Sequence, residues 1–146
     1  MKKFFVTFIA VLAVDQLIKQ IFLHGFEIHS KCISLVLAIN KGIAFSLLSF
    51  LGDNLKFIQF FIIIILGVFL YKERIIKKHP VLSGVLLAAA FSNLLDRFII
   101  GGVVDYVYWH CGFKFAIFNL ADVLIDFSIL VFLYYYFFGK IPKSVA

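Results

Sequence analysis

Four long, mostly apolar stretches set the pattern of the chain. Each is close to the length that crosses the hydrocarbon core of a bilayer as an α-helix, which takes about 20 residues. They are residues 4–23, 55–71, 81–100 and 118–138. Neither repeats nor a linker to a soluble domain interrupt them. The pattern therefore predicts an all-α membrane protein with four transmembrane helices in a single domain, residues 1–146.

The longest polar connection joins the first two predicted helices and has its own pattern. Apolar and polar positions partly alternate over residues 27–40, which predicts one or two short strands. Residues 40–48 read as a turn followed by an apolar segment, for which an interfacial helix is a further prediction. We expect a small β-region here and hypothesise that residues 40–48 gate access to a site beneath them.

The amino-terminal stretch has features of a secretory signal, because two lysines precede an apolar run. No small-x-small cleavage site follows, and the apolar pattern resumes after residues 15–19, DQLIK. This favours an uncleaved first helix over a removed signal.

Composition excludes an ordinary soluble domain, since 64% of the 146 residues are hydrophobic and only 15% are charged. The net charge of +6 reflects topology more than ligand binding. Basic residues gather on the side shared by both termini and the connection between helices two and three, which predicts that this side is cytoplasmic. They are Lys2, Lys3, Lys72, Arg74, Lys77, Lys78, Lys140 and Lys143. No soluble basic face remains for a nucleic acid.

Two cysteines, Cys32 and Cys111, both fall on the predicted outer side. Two free thiols are the simpler interpretation, and a disulfide is the alternative in an oxidising compartment. No Cys/His spacing indicates a metal site, and no cofactor is expected.

Polar residues within the predicted helices fall at similar depths. Counted from the cytoplasmic ends, Asp15, Asn93, Arg97 and Asp122 lie roughly 18–26 Å into a core about 30 Å thick. An ionised residue at the centre of a membrane helix costs about 2.5–3.5 kcal/mol, and such residues usually face a bundle interior or a wet cavity. Asp105 follows the outer end of helix three, so all of these side chains are expected near the outer face.

Several of these residues have structural interpretations. Asp15 and Lys19 stand at i and i+4 and can pair with each other, and Asn93 and Arg97 share a helix face. Asp126, one turn beyond Asp122, is interpreted as a polar helix contact, with a functional role as the alternative.

Asp105 and Asp122 differ from the other polar residues because neither has a cation at helical spacing. If they meet, they form a carboxylate pair in which one member keeps its proton and the other activates water, as in aspartic proteases. A proton relay in a small four-span proton-coupled transporter is the alternative.

Five motifs in order resemble those of signal peptidase II, the bacterial lipoprotein signal peptidase family of intramembrane aspartic proteases. They are DQLIK at 15–19, NKGIAF at 40–45, SNLLDR at 92–97, GGVVDY at 101–106 and FNLAD at 118–122. Ser92, where the family usually has glycine, and Ala116, where proline is common, depart from the pattern.

The resemblance implies roles for individual residues. Asp105 and Asp122 would be the catalytic pair of an aspartic endopeptidase. Substrate-binding roles fall to Asn40, Gly42, Asn93, Arg97 and Asn119. Structural support would come from Asp15, Lys19 and Asp96.

The resemblance also implies a substrate and a location. The substrate would be a prolipoprotein carrying diacylglycerol, cut before the lipidated cysteine. The protein would be a multi-pass monomer among the lipids of the bacterial inner membrane, with both termini cytoplasmic and the site near the outer face. An inactive relative that serves as a scaffold is disfavoured, because both acids and the flanking polar residues are present.

Overall fold

The computed structural model describes residues 1–42, 52, 54–113 and 115–138. Within these residues, four helices are long and apolar enough to cross a membrane. They are α1 (Lys2–Leu23), α2 (Leu55–Lys72), α4 (Pro80–Ile99) and α5 (Leu120–Phe137), with the short helix α3 (Ile75–Lys78) between α2 and α4. The predicted fold class is confirmed, and the helices end close to the predicted bounds.

Helix α4 is the centre of the bundle and packs against the other three long helices. Its sequence allows close approach because small residues line its buried faces. A Cβ added at Gly84 would lie 2.9 Å from the carbonyl oxygen of Phe4, and Ala88 and Ala89 are fully buried. The other three helices turn large apolar side chains outward, as expected of surfaces that lipid covers.

Two antiparallel strands form a small sheet: β1 (Ile33–Asn40) and β2 (Val103–Trp109). Strand β1 lies within the predicted strand region, whereas β2 was not predicted. Ala38 pairs with Asp105, and the register shifts between Leu35 and Ala38. Gly101 makes the turn from α4 into β2 with φ +83°, a conformation that favours glycine.

A disulfide joins Cys32, just before β1, to Cys111, just after β2. The simpler interpretation of two free thiols is therefore wrong. Pairing of the strands brings two cysteines together that are 79 residues apart in the chain.

The predicted interfacial helix and the proposed gating segment fall largely on residues 43–48, which lie outside the described residues.

Candidate active site

Asp105 and Asp122 reach the same cavity from different elements. Asp105 lies in β2, and Asp122 lies in the first turn of α5. The Asp105 carboxylate accepts hydrogen bonds from the side-chain amides of Asn40 at 3.0 Å and Asn119 at 2.8 Å. The carboxylate pair that the sequence suggested therefore shares one cavity.

Local structure explains how the chain brings the two acids together. Phe118 exchanges backbone hydrogen bonds with Val107, which fixes the start of α5 beside β2. Asn119 then caps the helix: its side chain accepts from the Asp122 amide at 2.9 Å, and the Asp122 carboxylate accepts from the Asn119 amide at 3.1 Å. This capping box fixes both the helix start and the Asp122 side chain.

Asn93 connects Asp122 to the interior of the bundle. Its side-chain nitrogen donates to the Asp122 carboxylate at 2.8 Å. Its side-chain oxygen accepts from the Lys19 ammonium at 2.8 Å and from the side-chain nitrogen of Asn119 at 3.1 Å. The hydrogen bonds run from the buried ammonium through one amide to one carboxylate.

Lys19 lies at the centre of a buried ionic group. It pairs with Asp15 at 2.8 Å, as the i, i+4 spacing predicted, and with Asp96 at 2.7 Å. Removing charges from water is costly unless each one is paired and hydrogen-bonded. Here all three side chains are almost completely buried, and each has several partners.

Asp15 has two further hydrogen bonds that reach other helices. It accepts from the Ser92 hydroxyl at 2.6 Å and from the backbone amide of Ala121 at 3.0 Å. Ser92 also accepts from the Gln16 side chain at 2.8 Å. The serine that departs from the family pattern is therefore accommodated by hydrogen bonds.

Asp96 holds α4 to the start of β2. One carboxylate oxygen accepts from Gln16 at 2.8 Å, and the other accepts from the backbone amide of Val104 at 3.2 Å. The residue before Asp105 is thus anchored by the same buried group that surrounds Lys19.

Tyr106, which follows Asp105 in β2, is buried. Its ring stacks on Phe22 with centroids 4.3 Å apart, and its hydroxyl accepts from the Leu120 amide at 3.0 Å. Burial raises the pKa of this hydroxyl to about 12. Tyr106 therefore supports the amino end of α5 beside Asp122.

Arg97 donates to the carbonyl of Gly42 and, at 2.8 Å, to the side chain of Gln59. Gln59 also lines the cavity. Gln59 is an isolated polar residue in the apolar sequence of α2, and a polar residue within a membrane helix often marks a functional site. This signal was present in the sequence but was not used to predict the site.

The cavity has a volume of about 500 Å³ and lies between α2, α4, α5 and the sheet. Its polar side includes Asn40, Asn93, Arg97, Asp105 and Asp122. Its apolar side includes Leu55, Ile58, Ile62, Ile117 and Ile125. Gly42 and Asn119 are not among the described residues that line it, and they contact residues that do. The cavity thus combines an acidic, amide-rich end with an apolar wall.

Burial in this setting raises the pKa of Asp105 to about 7, and the neighbouring Asp122 adds to the shift. The amides of Asn40 and Asn119 oppose it. Asp105 is therefore placed to hold a proton near neutral pH while a second carboxylate faces the same space.

Comparisons with known proteins extend over nearly the whole chain. A family model described as Signal peptidase (SPase) II matches residues 7–138. A lipoprotein signal peptidase of Wolinella succinogenes is 52% identical over 134 residues, which cover 91% of this chain and 92% of that protein. One of Sulfurimonas denitrificans is 46% identical over 141 residues, with coverage of 94% and 90%. A solved bacterial membrane enzyme superposes with a TM-score of 0.76 at 25% identity, covering 100% of this chain and 96% of its own.

Proposed function

Because the chain belongs to the signal peptidase II family and is thus a multi-pass membrane protease, we propose that it is an aspartic endopeptidase with Asp105 and Asp122 as its catalytic pair. It removes signal peptides from prolipoproteins, cutting before a cysteine that carries diacylglycerol. One observation carries the proposal: the two carboxyl groups face one cavity and are bridged by Asn119, which donates to each of them.

The surroundings of the two acids support different charge states. Asp122 lies at the amino end of α5, where a helix favours negative charge, and accepts from an amide that the Lys19 ammonium polarises through Asn93. Asp105 has a pKa raised to about 7 and lies on a strand. In the resting enzyme Asp122 is the carboxylate, and Asp105 holds the proton.

Hydrolysis then proceeds without a covalent enzyme intermediate. Asp122 takes a proton from a water molecule as its oxygen attacks the carbonyl carbon of the cleaved bond, while Asp105 gives its proton to the carbonyl oxygen. Collapse of the tetrahedral intermediate breaks the carbon–nitrogen bond. The proton on Asp122 passes to the leaving nitrogen, and the proton on the carbonyl oxygen returns to Asp105.

The remaining site residues hold the substrate. Asn40 and Asn93 orient the peptide backbone beside the acids that they already contact, and Arg97 orients the polar part of the lipidated residue. Asn119 and Gly42 keep these groups in place. Asp15, Lys19 and Asp96 form the ionic support beneath them.

The apolar wall of the cavity suits a signal peptide that arrives within the bilayer. Side chains of α2 and α5 there match an apolar segment, and the acyl chains of the substrate stay in lipid. The protein acts as a monomer in the bacterial inner membrane, with both termini cytoplasmic and the cavity near the outer face. The family match gives no support to the transporter alternative.

The test uses a lipidated prolipoprotein peptide and the full-length protein in vesicles. We expect cleavage before the lipidated cysteine. We expect Asp105→Asn and Asp122→Asn each to reduce kcat by roughly a thousandfold or more, since each acid transfers a proton both in the attack of water and in the collapse of the intermediate. Glu73→Gln, an exposed acid in the inner connection, is the matched control. Full activity in either folded variant would remove that acid from the mechanism.

A further inference from the structure

Asp126 lies on the wall of the same cavity and has no part in the proposed mechanism. It follows Asp122 by one helical turn in α5, and its side chain is exposed. Among the residues that the structure describes, it has no hydrogen bond or ion pair. The other acids of the membrane helices, Asp15, Asp96 and Asp122, all have such partners.

An acid without a partner at this depth is costly. A carboxylate within a membrane helix is unfavourable, and residues of this kind usually serve a pathway or a bound ligand. Asp126 opens onto a cavity, so its partner is best sought in what enters that cavity.

The position of Asp126 indicates which part of the substrate it meets. It lies four positions after Asp122, which is about 6 Å along the axis of α5 toward the membrane interior. An extended peptide advances about 3.3 Å per residue, so this distance spans about two residues. The signal-peptide side of the cleaved bond leads into the membrane. A signal peptide that extends along α5 in this direction would place the residue about two positions before that bond beside Asp126.

The surroundings of Asp126 indicate which kind of substrate side chain it would accept. The neighbouring wall is apolar, with Ile125 on the same helix and Ile62 on α2. A small side chain with a hydroxyl group fits such a wall and can donate a hydrogen bond to the carboxyl group in either protonation state.

We propose that Asp126 is a specificity-determining residue that accepts a hydrogen bond from a serine or threonine about two positions before the cleaved bond. This inference rests on the proposed function, because it requires a signal peptide in the cavity. It assigns to Asp126 a preference among substrates and no role in the chemical step.

The test uses three pairs of lipidated prolipoprotein peptides. The two peptides of a pair differ only in having serine or alanine at one position, which is the first, second or third before the cleaved bond. The full-length protein in vesicles should prefer the serine peptide by roughly tenfold in kcat/KM at the second or third position, the size expected of one hydrogen bond. Asp126→Leu should bring the two peptides to within about twofold of each other, with the alanine peptide still cut. Asp126→Asn, which keeps the shape and one acceptor, should retain part of the preference and provides the second variant if the leucine protein is unstable.

Ile125→Ala is the matched control, because it alters the adjacent wall without touching a hydrogen-bonding group. It should change the cleavage of both peptides in parallel. The inference would be overturned by an unchanged serine preference in folded Asp126 variants, or by the lack of a preference in the unaltered protein. In either case, cleavage that depends on Asp105 and Asp122 would still uphold the proposed function. Failure of the unaltered protein to cut any of the peptides would overturn both.

Discussion

Asp15 in the first helix accepts a hydrogen bond from the backbone amide of Ala121, the second residue of the last helix, at 3.0 Å. The neighbouring amides of this helix end also have side-chain partners: Leu120 donates to Tyr106, and Asp122 donates to Asn119. The start of α5 is therefore fixed by three segments of the chain. Since Asp122 lies within that first turn, the fold and the proposed catalytic group depend on the same contacts.

Replacing Asp15 with alanine should both destabilise the protein and reduce its activity. The change leaves Lys19 with one fewer carboxylate partner and the Ala121 amide without its acceptor. Breaking a buried ion pair typically costs about 3–5 kcal/mol. We expect a clearly lower unfolding temperature in detergent and slower cleavage of a lipidated peptide.

The matched control for Asp15 is Glu27→Ala. Glu27 lies 3.5 Å from His29 in an exposed pair, and exposed pairs contribute little to stability. Its unfolding temperature should stay close to that of the unaltered protein. Equal effects of the two substitutions would contradict the role given to Asp15.

Gly102→Ala should reduce activity more than stability. A Cβ at this position would lie 2.7 Å from the Ile39 side chain and 3.0 Å from the Asn40 carbonyl oxygen, so the end of β1 must shift. Asn40 donates to Asp105, and small displacements of positioned groups can cost about a hundredfold in rate. Cleavage rates and unfolding temperatures of the same preparations check this.

Gly67→Ala is the corresponding glycine control, because a Cβ there meets nothing within 4 Å. It lies within α2, where alanine is favoured over glycine by about 1 kcal/mol. This variant should be as active as the unaltered protein and no less stable. An equally active Gly102→Ala protein would show that Asn40 need not be held so closely.

The membrane helices could be predicted because a run of about 20 apolar residues in lipid must satisfy its own backbone hydrogen bonds, which favours a helix. Strand β2 could not be predicted in the same way. Its sequence, VVDYVYW, is rich in β-branched and aromatic residues that favour strands. Its partner is distant in the chain, however, with Asn40 paired to Val103, so the pairing itself could not be deduced from the local pattern. The disulfide depends on that pairing, so the sequence alone could not decide between two free thiols and a bonded pair.

The charged residues of the site could be singled out because each is conspicuous within or just beyond an apolar membrane helix. Neutral partners carry a weaker signal. The role of a neutral side chain becomes clear only when another helix or strand places a donor or acceptor beside it, as for Gln16, Gln59 and the Tyr106 hydroxyl. The sequence thus indicated which acids to examine, while their hydrogen bonds required the fold.

The disulfide should stabilise the sheet of β1 and β2 without being needed for the chemistry. It joins the ends of β1 and β2 farthest from the pair formed by Asn40 and Asp105. Replacing Cys32 and Cys111 with serine should cost about 2–4 kcal/mol, the usual contribution of a disulfide, and leave substantial activity at low temperature. A reductant should lower the unfolding temperature of the unaltered protein and leave that of the double variant unchanged. Equal sensitivity of both proteins would mean that the reductant acts elsewhere.

The raised pKa of Asp105 should make the protein less stable as the pH rises. The carboxyl group has a pKa of about 7 in the folded protein, against the ordinary aspartate value of 3.8. The folded state therefore binds this proton more tightly than the unfolded state does. The stabilisation from this proton is fully present below about pH 4 and is lost as the pH rises through about 7. We expect the unfolding temperature in detergent to fall between pH 5 and pH 8, and to fall by less in Asp105→Asn, whose amide does not titrate. Glu73→Gln, which alters an exposed acid in the connection after α2, should keep the slope of the unaltered protein. An identical slope in Asp105→Asn would show that another group causes the pH dependence.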